Sequence, residues 1–171
     1  MKNASAKFFA LVSACALLTA CFGRTSTENA AEKMLEDSGH SADVQMNADG
    51  TMKITTDEGT ATTSNEMPPD WPEDVPEYPG AMVVFSGSAN PADGSAGTAV
   101  VMSTTDTAAQ VEAFYQAQLE GNGWTLSGTM DGGGTKIMSA TKAPSRTVSV
   151  MIVGGADGKT NVTVGIEDTS R

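Results

Sequence analysis

Few side chains in this 171-residue chain have the type and spacing to do chemistry. His40 is the single histidine, so a Ser-His-Asp arrangement or an imidazole-based zinc site would rest on it alone. In its polar surroundings it reads as a solvated linker residue. Glu73 and Asp74 are adjacent acids, but glycoside hydrolysis needs two carboxylates facing one another across a cleft, which neighbours in a proline-rich stretch do not supply. Gly154-Gly155-Ala156-Asp157-Gly158-Lys159-Thr160 has the ending of a phosphate-binding loop. The glycine required five residues before the Gly-Lys pair is Val153, and a strand pattern follows where a helix is needed, so it reads as a hairpin turn. Aligning Gly50 with the sixth position of a calcium loop puts Gln45 first and Thr56 twelfth, where acids are required. The methionines show no Met-x-Met or Met-x-x-Met clustering and read as core filler. No catalytic residue, metal ligand or cofactor is expected, and the chain reads as a non-enzyme.

The remaining reactive groups are the thiols of Cys15 and Cys21. Lys2 and Lys7 precede an apolar run over residues 8–18, a charged segment followed by a hydrophobic one too short to span a bilayer as a mature helix. This is the pattern of an export signal. Leu18-Thr19-Ala20-Cys21 then resembles the lipobox of bacterial lipoproteins. That resemblance implies cleavage between Ala20 and Cys21, diacylation of the Cys21 thiol and acylation of the new amino group. Each buried methylene adds about 0.8 kcal/mol, so two or three chains hold far more firmly than one. Phe22 stands where an Asp would resemble the inner-membrane retention signal, which points to the outer membrane, periplasmic or surface-facing, in a Gram-negative host. Cys15 leaves with the signal and Cys21 carries lipid, so no thiol remains for a disulfide or a thiolate metal site.

The net charge of −11 becomes −13 once Lys2 and Lys7 are removed. Residues 22–80 hold 13 acids against 3 bases, and residues 81–171 hold 8 against 5. Nucleic acid is therefore not an expected partner, since phosphate binding requires a basic footprint. Anionic headgroups are disfavoured for the same reason. The acidic half reads as a self-repelling spacer, with a calcium-binding surface as the alternative.

The elements that position these groups follow from periodicity. After the signal over residues 1–20, residues 21–41 form a lipid-anchored acidic tether that contains a marginal helix over 28–37, with Ala31, Met34 and Leu35 on one side and Gly39 as a stop. At about ten residues such a helix needs a docking surface or it frays. Residues 42–66 read as a β-hairpin or meander around the Asp49-Gly50 turn. Residues 67–80 hold five prolines with Trp71 and Tyr78 between them, an extended connector that these aromatics pin to the folded part or present to a partner. Residues 81–171 then form the main domain, with strands 81–86 and 98–104 joined by a loop over 87–97 whose Asn90-Pro91 and Asp93-Gly94 are turn signals. A helix capped at Asp106 or Thr107 follows, with a capping box if Gln110 reaches back to Thr107. Its buried stripe is Ala108, Val111, Phe114, Tyr115 and Leu119, and four alternating strands succeed it.

The expected class is α+β: an antiparallel sheet of about six strands in the order ββαββββ on one helix, preceded by a short helix and a hairpin. Six strands are roughly 24 Å wide and a helix about 10 Å across, so one helix cannot cover them. Curling of the sheet with cover from the proline segment and the first hairpin is the favoured solution, and an open apolar groove the alternative.

The run Pro69-Asp70-Trp71-Pro72-Glu73-Asp74-Val75-Pro76-Glu77-Tyr78-Pro79-Gly80-Ala81, with Val111-Glu112-Ala113-Phe114-Tyr115 and Gly123-Trp124, resembles a recurrent pattern in uncharacterised bacterial envelope lipoproteins. The likeness covers residues 67–171, implies an architecture and an address, and carries no catalytic residues. The function expected is that of a lipid-anchored interaction domain for an envelope protein or polymer, joined to the membrane through Cys21. A small-ligand or calcium-binding domain, using an apolar groove or the acidic half, is the alternative.

Overall fold

A computed structural model describes Lys33 and residues 42–91, 96–155 and 158–169. The elements, in chain order, are β1 (Ala42–Met46), β2 (Met52–Thr56), β3 (Gly59–Ser64), β4 (Met82–Pro91), β5 (Ala96–Thr104), α1 (Ala108–Gly121), β6 (Thr125–Gly132), β7 (Thr135–Lys142), β8 (Arg146–Gly154) and β9 (Thr160–Asp168). All nine strands pair antiparallel in one sheet, in the spatial order β1-β2-β3-β4-β5-β9-β8-β7-β6. Two meanders meet at the β5–β9 seam, in register from Ala96↔Asp168 to Thr104↔Thr160. The export signal, the Ala20/Cys21 cleavage and lipidation site, His40 and most of the expected helix over 28–37 lie outside the described residues.

The expected α+β class, a six-stranded sheet with a separate hairpin ahead of it, is overturned. The protein is a largely β fold in which one nine-stranded sheet takes in the first three strands. The reason lies at β4. The small residues Gly87, Ser88 and Ala89 and the Asn90-Pro91 pair read as the start of a loop, yet they continue the strand to Pro91. That extension gives β3 a partner along its whole length, from Gly59↔Pro91 to Ser64↔Ser86. The approach is close enough that Gly59, at φ +142°, has no room for a side chain: a Cβ there would run into the Asn90 carbonyl. Proline is tolerated because it stands at the end of the strand, where its missing N–H interrupts no ladder. The first hairpin is thus part of the sheet and does not cover it.

Local chemistry fixes both ends of α1. Thr107, with φ −71° and ψ 153°, is the N-cap; its hydroxyl accepts from Gln110 N at 3.4 Å, and Gln110 Oε1 accepts from Thr107 N at 3.0 Å. This is a capping box. At the other end Trp124 N donates to Leu119 O at 2.9 Å and Gly123 N to Glu120 O at 3.1 Å, with Gly123 at φ +81°. That pair of bonds is a Schellman motif, whose left-handed residue favours glycine. Val111, Tyr115 and Leu119 form the buried stripe, with Ala108 and Phe114 partly buried beside it.

Beneath the stripe lies the main core: Val100 and Met102 of β5, Val162, Val164 and Ile166 of β9, Val148, Val150 and Ile152 of β8, and Met138 and Ala140 of β7. Val75, Tyr78 and Trp124 close its rim. Leu119 is fully buried whereas Val84 is 52% exposed. Leu119→Ala is therefore expected to cost roughly 2–5 kcal/mol and Val84→Ala less than about 0.5 kcal/mol, read from the midpoint of urea denaturation at unchanged slope.

Candidate functional site

The connector over residues 67–80 is held at several points. Trp71 Nε1 donates to Val75 O at 2.6 Å, and the half-buried Trp71 packs with Met67 against the main core. Tyr78 is 5% exposed, stacks edge-on against Phe114 at 5.0 Å, and donates its hydroxyl to Asp106 Oδ2 at 2.7 Å. Burial, reinforced by that hydrogen bond to a carboxylate, pushes the Tyr78 hydroxyl up to about 12. Both aromatics singled out as candidate packing or partner residues thus face the folded body.

Between them Asp74 ties three elements together. Its carboxylate accepts from Arg146 Nη1 at 2.7 Å and Nη2 at 3.0 Å, and from Lys142 Nζ at 2.6 Å. Its carbonyl accepts from Trp124 Nε1 at 3.1 Å, and Lys142 Nζ also reaches Asn122 O at 2.8 Å. The Arg146 guanidinium lies 4.9 Å and the Lys142 ammonium 5.7 Å from the Trp124 ring centroid, within cation–π range. Connector, helix end and the β7–β8 hairpin are thereby joined around one carboxylate. Burial would raise its pKa, but the hydrogen bonds from Arg146 and Lys142 outweigh that and hold it below the ordinary value. Every charged group here is satisfied by another, so the cluster is structural.

The open site lies on the same face of the sheet, beyond the reach of α1. Two rows of paired residues show where the cover ends. One runs Ser64, Ser86, Val100, Val164, Val150, Met138, and its neighbour runs Thr62, Ser88, Thr98, Ile166, Val148, Ala140. Each begins as hydroxyls on β3 and β4 and becomes almost wholly aliphatic from β5 or β9 onward. Over the polar end, the start of the connector forms a wall from Glu66 to Asp70, held where Ser86 Oγ donates to Glu66 O at 2.6 Å. Together they enclose an open cleft of about 640 Å³. Its floor is Thr62, Ser64, Ser86 and Ser88 with Asn90 at one end, and Asp49, Glu66 and Asp70 stand at its rim.

The cleft holds no nucleophile–base pair, and among the described residues no group of three or more His, Cys, Asp or Glu is placed to hold a metal ion. Its chemistry is that of hydroxyl and amide donors and acceptors beside negative charge. Sequence reading missed it, because the alternation of Thr62, Ser64, Ser86 and Ser88 becomes one surface only when β3 pairs with β4. No helix among the described residues is long and apolar enough to cross a membrane.

A family model described as START domain-like matches residues 84–169, which is half of the chain, and the chain belongs to that family. The match runs from within β4 to the end of β9 and leaves out β1–β3 and the connector, the two parts that build the far side of the cleft. No curated protein and no solved structure matches the chain.

A folded-state pKa below the unfolded one means that Asp74 contributes its full stabilisation above about pH 5 and loses it progressively as pH falls through the unfolded and then the lower folded value. With the side chain 22% exposed, Asp74→Asn is expected to cost roughly 1–3 kcal/mol at pH 7, between the ranges for surface and buried pairs. The difference in Tm between wild type and variant should narrow steadily as pH is lowered from 5 toward 2. Parallel curves over that window would show that the carboxylate charge is immaterial.

Proposed function

We propose that the protein is a lipid-anchored, non-catalytic binding domain of the bacterial cell envelope. Cys21 is its attachment point, and the cleft between β3, β4 and the connector is its binding surface. The observation that carries the binding role is the change along the two cross-strand rows from aliphatic to hydroxyl side chains where helical cover stops. A floor of Thr62, Ser64, Ser86 and Ser88 left open beside a filled core suits a partner rich in hydroxyl or amide groups. The acids at the rim disfavour anionic ligands. Membership of a START domain-like family also favours binding over catalysis. An envelope polymer or protein segment is the partner class that fits an open, polar, uncharged floor in a membrane-anchored chain. A small polar ligand in the same cleft is the second reading, favoured by its volume, which falls within the usual 300–1,000 Å³ of small-molecule sites. The calcium reading has no such support among the described residues.

The address is tested by mass spectrometry of the mature N-terminus and by Cys21→Ser. A diacylated Cys21 as first residue and release of the variant from the membrane fraction are expected, and an equally membrane-bound variant would refute the anchor. The site is tested with Ser88→Trp, which fills the cleft from its floor. Retention by immobilised envelope polysaccharide should drop at least about tenfold, the loss of roughly 1.4 kcal/mol of contact, with Tm within a few degrees of wild type. Unchanged retention would move the binding surface elsewhere.

A further inference from the structure

The face of the sheet away from α1 has two parts. Over β1, β2 and β3 it carries a small buried cluster of its own, Val44, Met52, Ile54 and Ala61 with Ala89 from β4, each no more than 4% exposed. From β4 to β6 it is built differently. One cross-strand row runs Phe85, Val101, Thr163, Met151, Ile137, Met130, and its neighbour runs Gly87, Ala99, Gly165, Ser149, Ser139, Gly128. An antiparallel sheet with one wet face sets polar side chains there, yet the first row is a ridge of mostly large apolar residues and the second a row of the smallest ones. Neither core cluster includes any of them. Met82 at 65%, Met130 at 68% and Met151 at 38% are three of the four large apolar side chains left exposed among the described residues, and all three stand on this face.

The small row is a groove. Its centre is a hollow of about 170 Å³ lined by Ala99, Ser149 and Gly165 with Thr147 and Glu167 beside them, and a Cβ on Gly165 or Gly128 would meet nothing within 4 Å. At the β4 end the Phe85 ring closes over Gly87, 3.4 Å from where a Cβ would stand. In these two rows and the row on either side of them, Glu167 is the one charged side chain among the described residues.

We infer that this face is a homodimer interface, on which a second copy packs sheet to sheet about a two-fold axis running across the strands between ridge and groove. Rotation about that axis lays each strand over its own counterpart, so the ridge of each copy fills the groove of the other. Met151 then meets Ser149, Ile137 meets Ser139 and Met130 meets Gly128, each contact made twice, which is the reciprocity a two-fold interface requires. The same rotation sets Glu167 opposite the amide of Asn161. Facing sheets of this kind lie about 10 Å apart with their side chains interdigitated. The size agrees, since six strands and four rows cover about 29 Å by 27 Å, roughly 800 Å² from each copy, which is the area of a standard stable interface.

Chemistry favours a second copy over a lipid surface. Ser139, Ser149 and Thr163 carry hydroxyls that hydrocarbon would leave without partners, whereas a facing sheet brings hydroxyls of its own. The dimer leaves α1 and the polar cleft uncovered, because both lie on the other face. It does not depend on the binding role proposed for that cleft; where the cleft does bind a polymer, two copies pointing away from each other add avidity.

Sedimentation equilibrium of the full-length protein, in detergent matched to the solvent density, tests this. A monomer–dimer equilibrium is expected. Gly165→Arg has room in the single chain but fills the groove with an unpaired charge, and should weaken the dimer at least about a hundredfold with Tm within a few degrees of wild type. Met151→Asp, which puts a charge on the ridge, should do the same. A wild type that stays monomeric to millimolar concentration would overturn the inference, as would a dimer that both variants retain, which would put the contact elsewhere, such as a free edge of the sheet. In a second measurement, peroxide oxidation of Met130 and Met151 should rise at least about fivefold on dilution through the dissociation range, while buried Met102 stays protected. Protection of Met151 that does not change with protein concentration would assign the face to bound detergent or lipid and refute the dimer.

Discussion

A helix of fourteen residues, about 21 Å long and 10 Å across, has to cover a sheet nine strands wide, about 38 Å from edge to edge. It cannot, and the distribution of cover explains most of the molecule. α1 lies over β6, β7 and β8, where Val111, Tyr115 and Leu119 meet a floor of valine, isoleucine and methionine. The connector extends that cover through Val75 and Tyr78. Beyond it, on β3 and β4, the same face changes to serine and threonine, which lose little by meeting water. The two sides of the sheet thus divide the burden: apolar residues face the helix at one end and the opposite side at the other.

The connector can serve as cover because its backbone needs little from the sheet. Five prolines remove five N–H donors and fix φ at each position. Where an extended path was expected, the segment folds into turns closed by Trp71 N to Pro68 O, Val75 N to Pro72 O and Ala81 N to Tyr78 O, each at 3.1 Å, so it lies across the domain at small entropic cost. Side chains then fix its position. Asp74 is the central tie, since one carboxylate accepts a forked guanidinium and an ammonium while its backbone carbonyl takes the Trp124 indole N–H. Lys142 and Arg146 flank the β7–β8 turn as a cross-strand pair, so the connector, the helix end and that hairpin move together. The cleft wall over residues 66–70 ends four residues before this tie.

The START domain-like match takes in the β4 side of the cleft and leaves out the rest of its lining. Residues 84–169 supply the shared sheet and helix, whereas β1, β2, β3 and the connector widen the sheet and wall its polar end. In this chain the helix-to-sheet interface is occupied by fully buried Tyr115 and Leu119, and the hydroxyl-lined cleft lies outside it. The three N-terminal strands and the connector thus lie outside the part of the chain that the family model matches.

Strand alternation, the Thr107 cap with Gln110, the Gly123 stop and the buried stripe of α1 were legible in the sequence because each depends on neighbours within a few residues. The polarity of the floor was written there as well, in Thr62, Ser64, Ser86 and Ser88, but its meaning was not. Pairing of β3 with β4 brings together residues more than twenty apart. The glycine, serine and asparagine of β4 carry turn propensity that two flanking strands override by satisfying their backbone groups. Asp74 looked like one acid among many in an acidic stretch, and only the fold brings Lys142 and Arg146 to it across some seventy residues of chain. The sequence by itself determined the local elements and the charge. Sheet width, the ion-pair tie and the cleft were decided by tertiary pairing, because hydrogen-bonding partners and burial are properties of what lies opposite in space.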